Sequence, residues 1–156
     1  WLAAGSLDSV RRAAREGYNL LLDQLAQTEQ IIRRIALFRE ECERVGRPYS
    51  PDMVATARAL QMFHSESERA AAYDTRRRVL SVIGDLARDK LPDRVEDDTA
   101  ALLGTPAEVI AKIEELEAGG ATNLLLVDPN ASVANLRAFA REVMPAFGPD
   151  PAIAAD

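Results

Sequence analysis

The sequence predicts an α/β fold in which parallel strands alternate with helices. Short apolar runs alternate along the chain with longer segments whose apolar residues recur every three or four positions. Three of the helical segments open on a serine or threonine that can cap a helix, and the helices close on glycine or proline. No linker or shift in composition divides the chain, so these units belong to one domain.

The first two strand–helix units occupy the first 48 residues. Residues 1–4 form a short apolar run, and Ser6 is a suitable N-cap for a helix that Gly17 would end. The next apolar run, residues 20–22, is too short for anything but a strand. A long helix follows and ends at Gly-Arg-Pro; its apolar stripe contains Ile31, Ile32, Ile35, Phe38, Cys42 and Val45.

The middle of the chain predicts a third strand, a helix and a loop. Residues 53–63 lack a helical period and precede the capping box of Ser65 and Glu68, which opens a helix expected to reach about Arg88. Residues 89–99 are acidic and contain Pro92, so they predict a loop, where we expect mobility.

The last part repeats the pattern. Thr105 and Glu108 form a second capping box with Pro106 at the first helical position, and two glycines end that helix. Residues 124–127 predict a fourth strand, and a final helix stops at Pro145. We expect one domain over residues 1–147 and a frayed tail over residues 148–156. Four such units fit a small open sheet or half of an eightfold barrel, and periodicity alone leaves both open.

Composition excludes several classes of function. A net charge of -6 and a pI of about 4.9 argue against a nucleic-acid-binding protein, which needs a basic surface. The basic run of residues 76–78 lies among acids and is expected to form a solvated helix face.

The single cysteine, Cys42, is expected in the core and fits a reducing cytoplasm. Neither a membrane span nor a signal peptide is visible in the sequence, and the chain begins in a predicted strand, as a fragment would.

Four matches, in order along the chain, carry a resemblance to a known family. Residues 1–9 (WLAAGSLDS) and 13–17 (AAREG) are similar to the fifth strand and following helix of bacterial-luciferase-like flavin-dependent monooxygenases. Further matches follow in the family's order: the GRP stop at 46–48, LGTPAEVI at 103–110, and the segment from 119 to 127 that precedes FAREVMP at 139–145. Together they cover the chain to about Phe147.

The resemblance implies a TIM-like (β/α) barrel, of which this chain supplies the C-terminal half, strands five to eight. It implies that the catalytic histidine and most contacts to the flavin ring lie in the other half, so no catalytic residue is identified here. The implied activity is oxidation of a small organic substrate by reduced flavin mononucleotide (FMN) and dioxygen. The alternatives are hydride transfer with a deazaflavin coenzyme and a non-catalytic half-barrel that serves in binding or assembly.

A half-barrel would leave its first and last strands as open edges and would expose residues meant for a barrel interior. We therefore expect the missing N-terminal half to be a partner of this chain, and we expect the isolated chain to self-associate as a homo-oligomer.

The best candidate for a binding site is the turn that contains Gly5, Ser6, Leu7 and Ser9. Backbone amides at a helix start, together with the helix dipole, favour an anion. Two hydroxyls three residues apart can face one phosphate, and the resemblance implies that this turn helps to hold the flavin phosphate. The pattern by itself favours a plain helix cap. Asp8 would repel a phosphate unless its side chain turns outward.

Further candidates follow the predicted strands, because active sites of such barrels lie at the C-terminal ends of the strands. Asp23, Gln24, His64, Asp128 and Asn130 are expected near that rim. The last two fit a turn with a helix cap equally well, and His64 fits a surface position better than a chemical role. The sequence has no Cys/His spacing for a metal site, no Ser-His-Asp set and no phosphate-binding glycine fingerprint.

Overall fold

The computed structural model describes residues 1–87, 92–130 and 132–148. The start of the predicted acidic loop and the predicted tail beyond Gly148 lie outside these ranges. Within them, strands and helices alternate as β1 (Leu2–Ala3), α1 (Leu7–Arg15), β2 (Leu20–Leu22), α2 (Thr28–Arg44), β3 (Val54–Met62), α3 (Glu66–Ala87), β4 (Ala101–Gly104), α4 (Pro106–Ala118), β5 (Asn123–Val127) and α5 (Val133–Glu142). Short 3-10 turns occur at Pro51–Met53, Val95–Asp97 and Met144–Ala146.

All strand pairs are parallel, as predicted. β1 pairs with β2 and β2 pairs with β3, whose residues Val54–Thr56 lie opposite Leu20–Leu22. β3 is the central strand, because it also pairs with β5 through residues 55–59 and with β4 through residues 59–62. Among the described residues, β1, β4 and β5 each have a single strand partner. The carboxyl ends of all strands therefore lie at one edge of the sheet.

The strand count predicted from the sequence was too low by one. β4 lies directly before the capping box of α4, and all four of its residues are buried. A strand that is buried on both faces shows no alternation of apolar and polar residues. The period of a four-residue apolar run therefore cannot separate a buried strand from residues that lead into the next helix.

Two of the three predicted helix caps are confirmed in full. Ser6 caps α1, and Gly17 follows the helix with a φ of 80°, a conformation that glycine adopts without strain. Thr105 and Glu108 form both bonds of a capping box at the start of α4. At α3 only half of the predicted box forms: Ser65 Oγ accepts from Glu68 N, whereas the Glu68 carboxylate accepts from His64 N.

One face of the sheet packs against the helices and forms the main core. Alternate residues of β2 and β3 point into it, and α1, α2 and α4 supply the opposing side chains. Cys42 is fully buried there, which confirms its predicted place. The fully buried large apolar side chains include Val10, Leu20, Leu22, Ile31, Phe38, Val54, Leu60, Leu102, Val109 and Leu116.

The opposite face of the sheet is lined by smaller side chains and is less covered. Tyr73 of α3 packs against Ala59, Ala101 and Leu103 at one end of this face. On β5, Leu125 and Val127 remain 47% and 40% exposed. Apolar strand residues that open to solvent are typical of a face that another element covers in an assembled barrel.

Candidate functional site

The turn at the start of α1 is a closed capping box. Ser6 has extended backbone angles, and its Oγ accepts from the backbone N of Ser9 at 3.2 Å. The Oγ of Ser9 in turn accepts from the backbone N of Ser6 at 3.1 Å. Two of the amides that a helix start leaves without carbonyl partners are thereby satisfied within the turn.

The same turn has the donor set that an anion needs. The amides of Leu7 and Asp8 lie in the first turn, where a helix supplies no carbonyl acceptor. The Asp8 carboxylate is 97% exposed and lies 3.2 Å from Arg11 Nη1, so it is turned outward. The Ser6 hydroxyl donates to Ser9 Oγ at 3.1 Å, and the Ser9 hydroxyl donates to Ser6 O at 2.8 Å. Both hydroxyls would have to rotate to donate to a phosphate, which they can do freely.

Asp23, at the end of β2, shapes the loop that leads into α2. Its Oδ1 accepts from the amides of Leu25 and Ala26, both at 3.0 Å, and its Oδ2 lies 3.3 Å from Arg34 Nη1. The carboxylate therefore holds a turn and pairs with a guanidinium group that is 10% exposed. This predicted rim residue has a structural task at the strand end.

A buried ion pair lies beside this loop. Arg76 Nε and Asp98 Oδ2 are 2.6 Å apart, with side chains 4% and 2% exposed. Asp98 Oδ1 accepts from Ala100 N at 2.9 Å and from Gln27 Nε2 at 3.2 Å. The prediction that residues 76–78 form a solvated face was wrong for Arg76 and correct for its two neighbours, because successive helical residues point in directions about 100° apart.

Arg58 of β3 is fully buried between these groups. Its Nη1 donates to Asp23 O at 3.3 Å and to Ala57 O at 3.1 Å. Its Nε and Nη2 have no hydrogen-bond partner in the described part of the chain. Burial lowers the pKa of Arg58 to about 10, although the carboxylates of Asp23 and Asp98 oppose that shift. We call Asp23, Arg34, Arg58, Arg76 and Asp98 the ion-pair cluster.

A cavity of about 100 Å³ opens beside the cluster, at the carboxyl ends of the strands. Arg76 and Gln24 line it together with Gln61, which gives the cavity one charged and two amide side chains. The rest of its wall is mainly apolar and consists of Ala59, Val79, Leu103, Val127 and Pro129. Gln24 was predicted near this rim, whereas sequence reasoning had assigned Arg76 to the surface and had not considered Gln61.

His64 lies at the surface, at the start of α3. Its side chain is 51% exposed, and its Nε2 lies 2.7 Å from Glu142 Oε2 at the end of α5. This contact lowers the pKa of Glu142, and Arg141 adds to the effect. His64 therefore joins two helix ends, and it does not line the cavity beside Arg76.

Asp128 adopts the turn-and-cap arrangement that its sequence context also allowed. Its Oδ1 accepts from Asn130 N at 2.8 Å, and its Oδ2 accepts from Asn135 Nδ2 at 2.9 Å. Asn135 also accepts from Met62 N at 3.1 Å and donates to Leu60 O at 3.1 Å. Asp128 and Asn135 together thus join the end of β5 to the end of β3. Asn135 was missed because nothing in the sequence separates it from other polar helix residues.

The structure therefore brings together only part of the predicted set. Gln24 shares a cavity with Arg76, whereas His64 and Asp128 serve contacts elsewhere at the same edge. The described ranges contain no group of three or more His, Cys, Asp or Glu side chains arranged to hold a metal ion. Nor does any helix within them have both the length and the apolar character that a membrane crossing requires.

Comparisons with known proteins bear on the family and the fold of the chain. The sequence model of the family described as luciferase-like monooxygenase matches residues 1–123. No curated protein sequence matches the chain.

Solved structures resemble the chain at low sequence identity. Monooxygenase RslO1 from Streptomyces bottropensis is 20% identical with a TM-score of 0.67; the match covers 94% of this chain and 47% of that one. The oxygenating constituent of 3,6-diketocamphane monooxygenase from Pseudomonas putida, in complex with FMN, is 17% identical with a TM-score of 0.66. That match covers 92% of this chain and 47% of the other.

A third solved structure belongs to an enzyme that uses a different coenzyme. The coenzyme F420 dependent tetrahydromethanopterin reductase from Methanopyrus kandleri is 16% identical with a TM-score of 0.64, covering 93% of this chain and 50% of that one. The chain therefore spans about half the length of these structures, and the likeness confirms the parallel α/β fold of a TIM-like barrel.

Proposed function

Because the chain belongs to the luciferase-like monooxygenase family, we propose that it is part of a flavin-dependent oxidoreductase that oxidises a small organic substrate with reduced FMN and dioxygen. The activity is proposed for the whole protein, since the chain spans about half of its solved relatives. In this proposal residues 1–147 supply barrel strands five to eight, which are the four strands predicted from the sequence, β1, β2, β3 and β5. The catalytic residues and most contacts to the flavin ring come from the other half of the barrel.

The turn at the start of α1 is the observation that carries the proposal. It lies at the carboxyl end of β1, where barrels of this kind hold their ligands. Ser6 and Ser9 have adjacent hydroxyls, Asp8 is turned away, and the first amides of α1 face no helical carbonyl. This donor set suits a phosphate dianion, so Gly5, Ser6, Leu7 and Ser9 would hold the FMN phosphate. When bound, a reduced flavin supplies the electrons for oxygen chemistry.

A deazaflavin coenzyme is the second candidate cofactor, with hydride transfer in place of oxygenation. It is supported by the similarity to the coenzyme F420 dependent reductase, whose fold matches this chain as closely as the FMN complex does. The turn at α1 does not discriminate between the two cofactors, because each can present a phosphate group to the same donors.

The proposal also concerns location and assembly. We place the protein in the cytoplasm, where the free thiol of the buried Cys42 would remain reduced. We also propose that the open edges of β1 and β5 and the exposed Leu125 and Val127 are covered in an assembly, by the other half of the barrel or in a homo-oligomer.

The test compares FMN with riboflavin, which lacks the phosphate, in binding to the full-length protein. Changing Ser6→Ala together with Ser9→Ala should weaken FMN binding about tenfold, because hydrogen bonds to a charged group are lost. Riboflavin binding should stay unchanged. Flavin fluorescence measures both affinities. The matched control is Ser65→Ala, which removes the N-cap of α3 in the same way.

The outcomes separate the candidate functions. An equal loss for FMN and riboflavin would mean that the two serines only cap α1, and the phosphate assignment would be wrong. Oxygen consumption with reduced FMN and a substrate panel supports the monooxygenase, and turnover with the reduced deazaflavin coenzyme supports the second candidate. A full-length protein that binds neither cofactor would contradict both and favour the non-catalytic half-barrel.

A further inference from the structure

Gln61 is a polar residue on an apolar face of the sheet. Its neighbours in β3, Leu60 and Met62, pack into and against the main core between the sheet and the helices. Successive residues of a strand point to opposite faces, so the Gln61 side chain points away from that core. Ala59, two residues earlier, and Leu103, the register partner of Gln61 on β4, form part of the smaller core cluster on this other face.

The backbone around Gln61 is held on both edges of β3. On one edge β4 pairs with it, with Gln61 opposite Leu103. On the other edge Asn135 of α5 takes the place of a strand, because its Oδ1 accepts from Met62 N and its Nδ2 donates to Leu60 O, both at 3.1 Å. The direction of the Gln61 side chain is therefore fixed by hydrogen bonds on either side of it.

This side chain lines the cavity at the strand ends, together with Ala59 and Leu103. The cavity measures about 100 Å³, well above the roughly 10–15 Å³ that a single water needs, so it accommodates a group of several atoms. Gln61 is partly buried, and its side-chain amide forms no hydrogen bond within the described residues. Partly buried polar groups are costly when they stay unpaired, so this amide favours a polar group in the cavity.

The chemistry of an amide selects its partner. The amide of Gln61 presents a donor nitrogen and an acceptor oxygen side by side, whichever way the group is turned. A carboxylate or a ketone offers acceptors only and would leave Gln61 Oε1 unpaired. A primary carboxamide or a lactam has an N–H and a C=O on one edge, so it satisfies both atoms with two parallel hydrogen bonds.

The rest of the cavity wall suits an uncharged molecule. Ala59, Leu103 and Val127 offer apolar surface to the hydrocarbon part of such a ligand. The charged residue of the lining, Arg76, is already paired with Asp98 at 2.6 Å.

We propose that Gln61 is a specificity-determining residue of this cavity, where its side-chain amide binds the carboxamide or lactam group of an uncharged organic substrate through two hydrogen bonds. The inference rests on the proposed function, because it narrows the substrate class of the same barrel. Asn135 and β4 hold the strand so that the amide faces the ligand.

The experiment titrates the full-length protein with 2-pyrrolidone, a lactam, and with cyclopentanone, a ketone of the same ring size that lacks the N–H. Backbone amide signals of Ala59 and Leu103 in a nitrogen–proton NMR spectrum give the Kd of each probe. In Gln61→Met, which keeps the length of the side chain, the preference for 2-pyrrolidone over cyclopentanone should fall about tenfold, as loss of a hydrogen bond does. The different solvation of the two probes cancels, since it is the same for both proteins.

Two further variants locate the effect. Ala59→Leu fills the cavity and keeps Gln61, so it should weaken the binding of both probes. Gln30→Met is the matched control, because Gln30 lies at the start of α2, where its Oε1 accepts from Gln27 N. The preference between the probes should be the same in Gln30→Met as in the unmodified protein.

The outcomes separate this inference from the proposed function, because FMN and deazaflavin binding are measured on the same unmodified protein. Flavin binding with an unchanged preference in Gln61→Met would overturn the role of Gln61 and leave the proposed function standing. A tenfold fall in preference without flavin binding would support amide recognition by Gln61 and overturn the proposed function. Unchanged binding in Ala59→Leu, or no binding of either probe to the unmodified protein, would show that the cavity holds water only.

Discussion

The turn at the start of α1 and the ion-pair cluster both lie at the carboxyl edge of the sheet, but they are built in opposite ways. In the turn, Ser6 and Ser9 are three residues apart, exposed, and bonded to each other. In the cluster, Arg76 and Asp98 are 22 residues apart and buried, and hydrogen-bonding atoms remain without partners in the described part of the chain. The turn depends on local geometry, whereas the cluster depends on the whole fold.

This difference bears on ligand binding. A phosphate at the turn would exchange existing hydrogen bonds for new ones, so the turn is stable with or without it. The cluster is buried instead, and three of its guanidinium nitrogens, Nε and Nη2 of Arg58 and Nη2 of Arg76, have no hydrogen-bond partner in the described part of the chain. We therefore expect the cluster to be the more sensitive of the two regions to any change in its composition.

The largest expected effect follows from breaking the cluster. Asp98→Asn keeps the shape of the side chain but removes the negative charge that pairs with the buried Arg76. The free energy of unfolding should fall by about 3–5 kcal/mol, the usual cost of removing one partner of a buried ion pair. Urea denaturation of the variant and of the unmodified protein measures this change.

The matched control is Asp74→Asn, which removes the partner of Arg77 on the same helix. These atoms also lie 2.6 Å apart, but the side chains are 50% and 65% exposed, so water screens the pair and the loss should be much smaller than for Asp98→Asn. Equal losses of stability in the two variants would show that burial does not determine how much these ion pairs contribute. A double change, Arg76→Met with Asp98→Leu, should recover most of the lost stability, because it removes both charges together.

A smaller effect follows from breaking the turn. Ser6→Ala removes the acceptor for Ser9 N and should lower the free energy of unfolding by about 1 kcal/mol, as the loss of an N-cap does. Ser6→Gly should cost only a few tenths of a kcal/mol, because glycine is itself tolerated at this position. Thermal and urea unfolding measure both. If Ala and Gly cost the same, the Ser6 side chain does not act as the cap.

The same contrast explains what could be predicted from the sequence. The helices and the strands β1, β2, β3 and β5 follow from periodicity and capping residues, which are local signals. β4 was missed because four buried residues show no period. The family resemblance determined the choice between an open sheet and a barrel, which no local pattern carries.

The residues of the candidate site likewise differ in whether their partners are near or distant in the chain. Ser6 and Ser9 could be recognised because their spacing is that of a helix cap. Arg76 was misjudged because its partner, Asp98, comes from a distant segment, the stretch 89–99 that predicted a loop. Asn135 was missed for a related reason, since its contacts with β3 depend on how α5 packs. The residues that the sequence reveals are those whose partners are near in the chain.

The smallest expected effect concerns Glu41, a buried carboxylate whose two arginine partners are exposed. Its carboxylate binds Arg15 of α1 and Arg44 of α2 at 2.5 and 2.7 Å, so it joins the helix of the turn to the helix beside the cluster. Hydrogen bonds from Arg44 and then Arg15 lower its pKa from 4.5 to about 2. Both guanidinium groups are more than half exposed, so water screens the pairs.

The sign of the pH dependence follows from that direction. A carboxylate whose pKa is lower in the folded state adds stability that is full above pH 4.5 and is lost as the pH falls to about 2. Glu41→Gln should therefore be less stable than the unmodified protein at neutral pH, and the gap should close over this range. Urea unfolding at a series of pH values measures the gap. Glu43→Gln, on the exposed side of the same helix, should show a much smaller gap. A stability gap for Glu41→Gln that stays constant down to pH 2 would mean that Glu41 stabilises the fold through packing and not through its charge.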